Sequence, residues 1–188
     1  MALKVSDRPK VEKLDAVVSQ LEAAVFLVLK GFRPEPIHTL IWASRTILRD
    51  LHKGKKNNIL AHIDEAVTRR VKPQFLKEWK QYENRAANFL KHADKDPDSQ
   101  LEGVDLAGIN AIELLLCILA TGEYLGELPT RLAIGLAYAG FNSGDWFDFR
   151  GYCNNIPNCL IDFEHFERMN EYDRRLLMLE AFELMQGT

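Results

Sequence analysis

The stretch that most limits the fold is Leu106 to Ala120, where Ile109, Ile112, Leu114, Leu115, Leu116, Ile118 and Leu119 leave almost no side without an apolar residue. A helix that is hydrophobic nearly all round belongs in an interior. Its unbroken apolar run, Leu114 to Ala120, is far short of the ~20 residues that span a bilayer. The segment therefore predicts a buried helix packed by other helices, and not an integral membrane protein. One polar row interrupts it: Asn110, Glu113, Cys117 and Thr121, in steps of three and four. Burying Glu113 would demand a cationic partner or a bound proton. An arginine on a neighbouring helix is the natural candidate; in the other reading Glu113 sits at the edge and reaches water.

The same periodicity marks the helices that would surround it. Pro9 can open a first helix reaching to about Gly31, with Val11, Leu14, Val18, Leu21, Val25 and Val28 or Leu29 inward. Gly31 ends it, and Phe32 to Glu35 forms the turn. Pro36 suits the first turn of a second helix running to about Lys53, with Ile37, Leu40, Ile41, Ile47, Leu48 and Leu51 inward. That helix carries a companion row, His38, Trp42, Arg45, Arg49 and His52. One reading is a solvated face with a tryptophan partly covering the core; the other is a groove wall that brings His38 and the arginines toward Arg85 and His92.

Ile59 to Val71 predicts a shorter helix with cations at its end, and Pro73 opens the next. After the central helix, Gly122, Gly126 and Pro129 break the chain, and Leu128 to Ala139 forms a helix whose Ala133, Gly135, Ala137 and Ala139 allow close packing. From about 140 to 170 the glycines, asparagines and aromatics predict an irregular wrap; a terminal helix from about 171 to 185 would bury Leu176, Leu177, Leu179, Phe182 and Leu184. No run alternates long enough to argue for a sheet. The expected fold is all-α: residues 1–188 as one domain, a helical bundle of five to seven helices with an irregular, aromatic-rich C-terminal third.

Charge and cysteine content narrow the function classes. A net charge of −3 argues against a general duplex-DNA binder, which would show a basic excess; a local basic row could still hold RNA or phosphate. Cys117, Cys153 and Cys159 are an odd count behind a polar start, Met1 to Lys10, and predict a reducing cytoplasm. Cys153, Cys159 and His165 fit no common zinc spacing and read as two buried thiols.

The helix after Pro73 has its core stripe at Phe75, Trp79, Tyr82, Ala86, Phe89 and Ala93. Gln81, Arg85, Asn88 and His92 form a polar row rotated by roughly 100° from it. Arg85, Asn88 and His92 resemble the motif of the HEPN helical domains, in which an arginine and a histidine near a helix end cut RNA without metal. Ala87 precedes Asn88 where that pattern has an arginine. The resemblance implies His92 as general base at a ribose 2′-hydroxyl and Arg85 as the clamp on the phosphate. The other reading of the pair is a structural histidine and a salt-bridging arginine. The Asn88 to Pro97 segment also resembles uncharacterised bacterial proteins, which implies no function.

Asp94, Asp96, Asp98 and Asp105 fall at positions one, three, five and twelve of a loop similar to a calcium-binding EF-hand. Ser99 stands where the turn glycine belongs and Asp105 where the bidentate glutamate belongs. The competing reading ends one helix with Asp and Pro and caps the next with Asp105. The sequence thus favours a non-catalytic, self-associating (homodimeric) helical interaction protein without a cofactor. Its rival is a HEPN-like metal-independent endoribonuclease or an RNA- or nucleotide-binding relative. Candidate site residues are Arg85, Asn88 and His92 for catalysis, and His38, Trp42, Arg45, Arg49 and Glu113 for binding.

Overall fold

The structure, a computed structural model, describes residues 11–53, 60, 61, 64, 74, 76–91, 100–142, 165 and 168–185. Among these lie six helices and no strand: α1 (Lys13–Leu29), α2 (Pro34–Leu51), α3 (Leu76–Lys91), α4 (Leu106–Leu125), α5 (Thr130–Asn142) and α6 (Glu171–Leu184). The chain is all-α. The expected wrap falls almost wholly outside the described residues, as do His92, Asp94, Asp96, Asp98, Cys153 and Cys159.

α4 is the central helix, and it is longer than its apolar run. Asp105 caps it, Oδ1 accepting from the Gly108 amide at 3.0 Å; a side chain at position 108 would strike that carboxylate. Gly122 was expected to break the chain but sits inside the helix. A mid-helix glycine costs only about 1 kcal/mol, and Leu128 packs against the bare backbone there. Gly126 ends the helix instead, at φ 79 with its amide on Gly122 O at 2.9 Å. By length and composition α4 would also suit a membrane span, a test that a soluble core helix passes equally; here Asn110, Cys117 and Thr121 are buried within the fold.

Cross-helix pairs give the directions of the bundle. His38 meets Asn110, Arg45 meets Glu113, and His52 approaches Glu123, so α2 and α4 run parallel. α1 and α2 form a hairpin closed by Gly31. At φ 73 it lets Phe32 N bond Leu27 O and Gly31 N bond Val28 O, both at 3.0 Å, the Schellman arrangement. α5 returns antiparallel to α4 and parallel to α1, with Glu22 bridging Arg131 and Gly135 pressed onto Val25 and Ile118. α6 crosses α1 and α5 in the opposite sense, placing Phe182 beside Phe26 and Arg131. One apolar cluster joins these elements through Leu21, Ile41, Leu48, Leu114, Ile118 and Leu132. Burying each such side chain stabilises by about 1.5–3 kcal/mol relative to exposure. α3 packs on α2 through the side that holds Ala86 and Ala87.

Two predicted faces are corrected. Val11 is 72% exposed and precedes α1, whose buried stripe is Val17, Leu21, Ala24, Val25 and Leu29. The second half of α1 is apolar nearly all round, so its periodicity could not choose between adjacent stripes. On α6, Leu176, Leu177 and Leu184 face outward while Met178, Leu179 and Phe182 are buried. Asn170 starts that helix, accepting from Asp173 N at 2.9 Å, and thereby sets a register that the scattered leucines do not. Ala133 on α5 is also exposed; Gly135 and Ala139 make the close contacts.

Candidate functional site

The polar row of α4 and the companion row of α2 meet face to face. A solvated α2 row is excluded for three of its members: His38 is 1% exposed and Arg45 4%, with His52 equally buried. Trp42 is half-buried and Arg49 exposed. The steps of three and four that align residues along one helix side align both rows here, and parallel packing lets them pair in chain order.

At the first rung His38 Nδ1 lies 2.8 Å from Asn110 Oδ1. Asn110 Nδ2 donates to the Pro34 carbonyl at 2.9 Å. A carbonyl can only accept, so the amide orientation is settled and His38 Nδ1 carries the proton. At the next rung Arg45 bonds Glu113 through one nitrogen and Asp64 through another, the latter at 2.6 Å. Arg49 takes the second oxygen of Asp64 at 2.6 Å. Two guanidinium groups and two carboxylates thus balance. Burial alone would favour loss of the Arg45 proton, but Glu113 and Asp64 hold its pKa above the ordinary arginine range. The arginine that a buried Glu113 required is Arg45.

Trp42 fills the space between rungs, stacked on His38 at 5.8 Å between centroids and under the Arg45 guanidinium at 5.5 Å. Cys117 is fully buried with its sulfur 4.0 Å from Ile41 O. Burial pushes its thiol pKa up, Glu113 pushes it further, and Arg45 opposes both. Thr121 returns its hydroxyl to Cys117 O at 2.8 Å. At the far end His52 Nδ1 donates to Leu48 O at 2.9 Å, leaving Nε2 directed toward Glu123 at 3.9 Å, with the Tyr124 ring edge-on.

The row of α3 behaves differently. Gln81, Arg85 and Asn88 are exposed, while Ala86 and Ala87 are buried. Among the described residues neither Arg85 nor Asn88 joins the α2 and α4 seam; His92 lies outside them. Asp105, the one described member of the acidic loop's ligand set, is engaged as the α4 cap. Among the described residues no group of three His, Cys, Asp or Glu side chains could hold a metal ion. Sequence reasoning missed Asp64. Its only signal is indirect: Arg45 and Arg49 stand one turn apart on α2, a pair of cations that calls for a carboxylate from outside that helix.

The chain matches no protein-family model, no curated protein and no solved structure. Fold and seam together define an all-α protein whose central helices are joined in parallel by buried polar groups that pair across the seam.

Proposed function

We propose that this chain is a non-catalytic helical interaction protein that self-associates through the outer face of α6. The observation that carries the reading is that face itself: Tyr172, Leu176, Leu177 and Leu184 are all exposed, Leu184 by 80%. A stable helix rarely leaves so much apolar surface in water unless something covers it. Leu177 and Leu184 are seven residues apart and lie on one side of the helix. A second copy packed antiparallel about a two-fold axis sets Leu177 of each copy against Leu184 of the other, a self-complementary contact of the kind homodimers use. The seam supports the non-catalytic part: His38, Arg45 and Cys117 are enclosed, with His38 bonded to Asn110, Arg45 to Glu113 and Asp64, and Cys117 set against Ile41 O. On the same reading the chain is one cytoplasmic domain of five to seven helices with an irregular C-terminal third, needing no cofactor and binding neither duplex DNA nor membrane. Sedimentation velocity across the micromolar range tests it. We expect a dimer that Leu177→Glu with Leu184→Glu converts to monomer, and a wild-type monomer throughout would overturn the reading.

A second reading rests on a separate observation: Arg85 and Asn88 are exposed on the flank that leads to His92. There a metal-independent endoribonuclease would hold phosphate with Arg85 and deprotonate the 2′-hydroxyl with His92. Cleavage of single-stranded RNA that persists in chelator, leaves a 2′,3′-cyclic phosphate and disappears in His92→Ala would establish it. Intact RNA at micromolar protein removes it.

A further inference from the structure

The directions of the helices bring the starts of α2, α4 and α6 to one end of the bundle, beside the ends of α1 and α5. A cleft of about 300 Å³ opens there, at the lower end of the roughly 300–1,000 Å³ typical of small-molecule sites. Its walls are Val28, Ile37, Leu114 and the Tyr138 ring, and its charged groups are Arg175 and Glu171. We propose that this cleft binds a small molecule with an apolar body and a carboxylate, no larger than an aromatic amino acid, and that Arg175 is its anchor.

Arg175 is the reason. It is half-buried and lines the cleft, yet it makes no hydrogen bond or ion pair among the described residues. No Arg175 nitrogen is buried without a partner, so its guanidinium opens on the cleft, where a carboxylate can make charge-assisted hydrogen bonds to it. Glu171 stands one turn before it, the spacing and order that favour a helical ion pair, and still the two do not join. Arg175 is drawn elsewhere: its guanidinium lies over Gly31, where an added side chain would come within 3.3 Å of both terminal nitrogens. The absent side chain at position 31 therefore makes room for the cation at the mouth of the cleft. Asn110, at the back, is already held by His38 and Pro34, which leaves Arg175 to recognise the acid.

Glu171 sharpens the specificity. Its carboxylate beside the arginine disfavours a multiply charged anion such as phosphate, and offers a counter-charge to an amino group next to the ligand's own carboxylate. An apolar amino acid satisfies both charges, with its side chain against Val28, Ile37 and Leu114.

Isothermal titration of the full chain with phenylalanine, 3-phenylpropionate, phenethylamine and inorganic phosphate tests this. We expect saturable binding of the two carboxylates, phenylalanine more tightly, and none of the amine or of phosphate. Arg175→Gln should weaken both carboxylates at least about tenfold, the loss of one charge-assisted hydrogen bond, while Arg175→Lys retains part of the affinity. Ala111→Trp, which grows from the cleft lining into open volume, should block binding with the far-ultraviolet circular dichroism unchanged. No saturable heat from either carboxylate at about 10 mM, equal binding of phosphate, or binding that survives Ala111→Trp would overturn the proposal.

Discussion

Replacing Arg45 by methionine should be among the most damaging single changes in the seam. The side chain is 5% exposed and bonded to both Glu113 and Asp64, and Glu113 is itself only 15% exposed. Arg45→Met leaves Glu113 largely buried without its cation, whereas Asp64 keeps Arg49. Breaking a buried pair by removing one partner costs about 3–5 kcal/mol. The residual exposure of Glu113 and the spared Asp64 argue for the lower end, about 3 kcal/mol. With a urea m-value of about 2 kcal/mol/M, the midpoint falls by about 1.5 M. Adding Glu113→Leu should recover at least half of that loss, because two apolar residues of similar volume replace a buried pair at little net cost. A double-mutant cycle followed by far-ultraviolet circular dichroism in urea isolates the coupling, expected to be no less than about 1.5 kcal/mol. An Arg45→Met midpoint within about 0.3 M of wild type, or two single losses that simply add, would refute the reasoning that the seam is a coupled lock.

Cys117, with its thiol pKa driven up by burial, should resist iodoacetamide in the native protein at pH 8 and react only in denaturant; peptide mapping that finds it alkylated under native conditions would contradict its placement. Tyr138 also has a raised pKa, from burial first and then from Glu171, against which Arg175 and Arg174 act. The unfolded chain therefore ionises first, and stability should decline as pH rises above the ordinary tyrosine value of about 10; Tyr138→Phe should flatten that decline in alkaline urea titrations, and an unchanged slope counts against it. Gly135→Ala gains about 1 kcal/mol of helix propensity but drives a methyl into Val25 and toward Ile118, so a net loss of about 1 kcal/mol is expected. Val25→Ala should offset part of that loss in the double variant, whereas a more thermostable Gly135→Ala would show that the contact is slack.

The Asn110, Glu113, Cys117 and Thr121 row was legible because four polar residues stand out against an apolar helix, and a buried carboxylate must find a cation. The α2 row carried no such contrast. His38, Arg45 and His52 have the composition of a solvated face, and only packing against α4 places them inside. Asp64 could not be assigned because its role comes from two arginines on another helix. On α6 the sequence places Leu179 and Phe182 correctly but not Leu176, Leu177 and Leu184: an amphipathic count ranks residues by hydrophobicity, while the seat of Phe182 against Phe26 decides which side turns inward.

By itself the sequence determined the all-helical class, the burial of the Leu106 to Ala120 segment, and turns such as Gly31 and Gly126, since these follow from local sterics and from a period of 3.6 residues within one segment. The tertiary structure alone decided that α2 and α4 run parallel, that the two polar rows close on each other, and that Arg175 stands over Gly31 at the mouth of a cleft. Such features depend on which helix lies beside which and at what register. Periodicity along one helix is the same whatever partner it meets, so it carries no information about that choice.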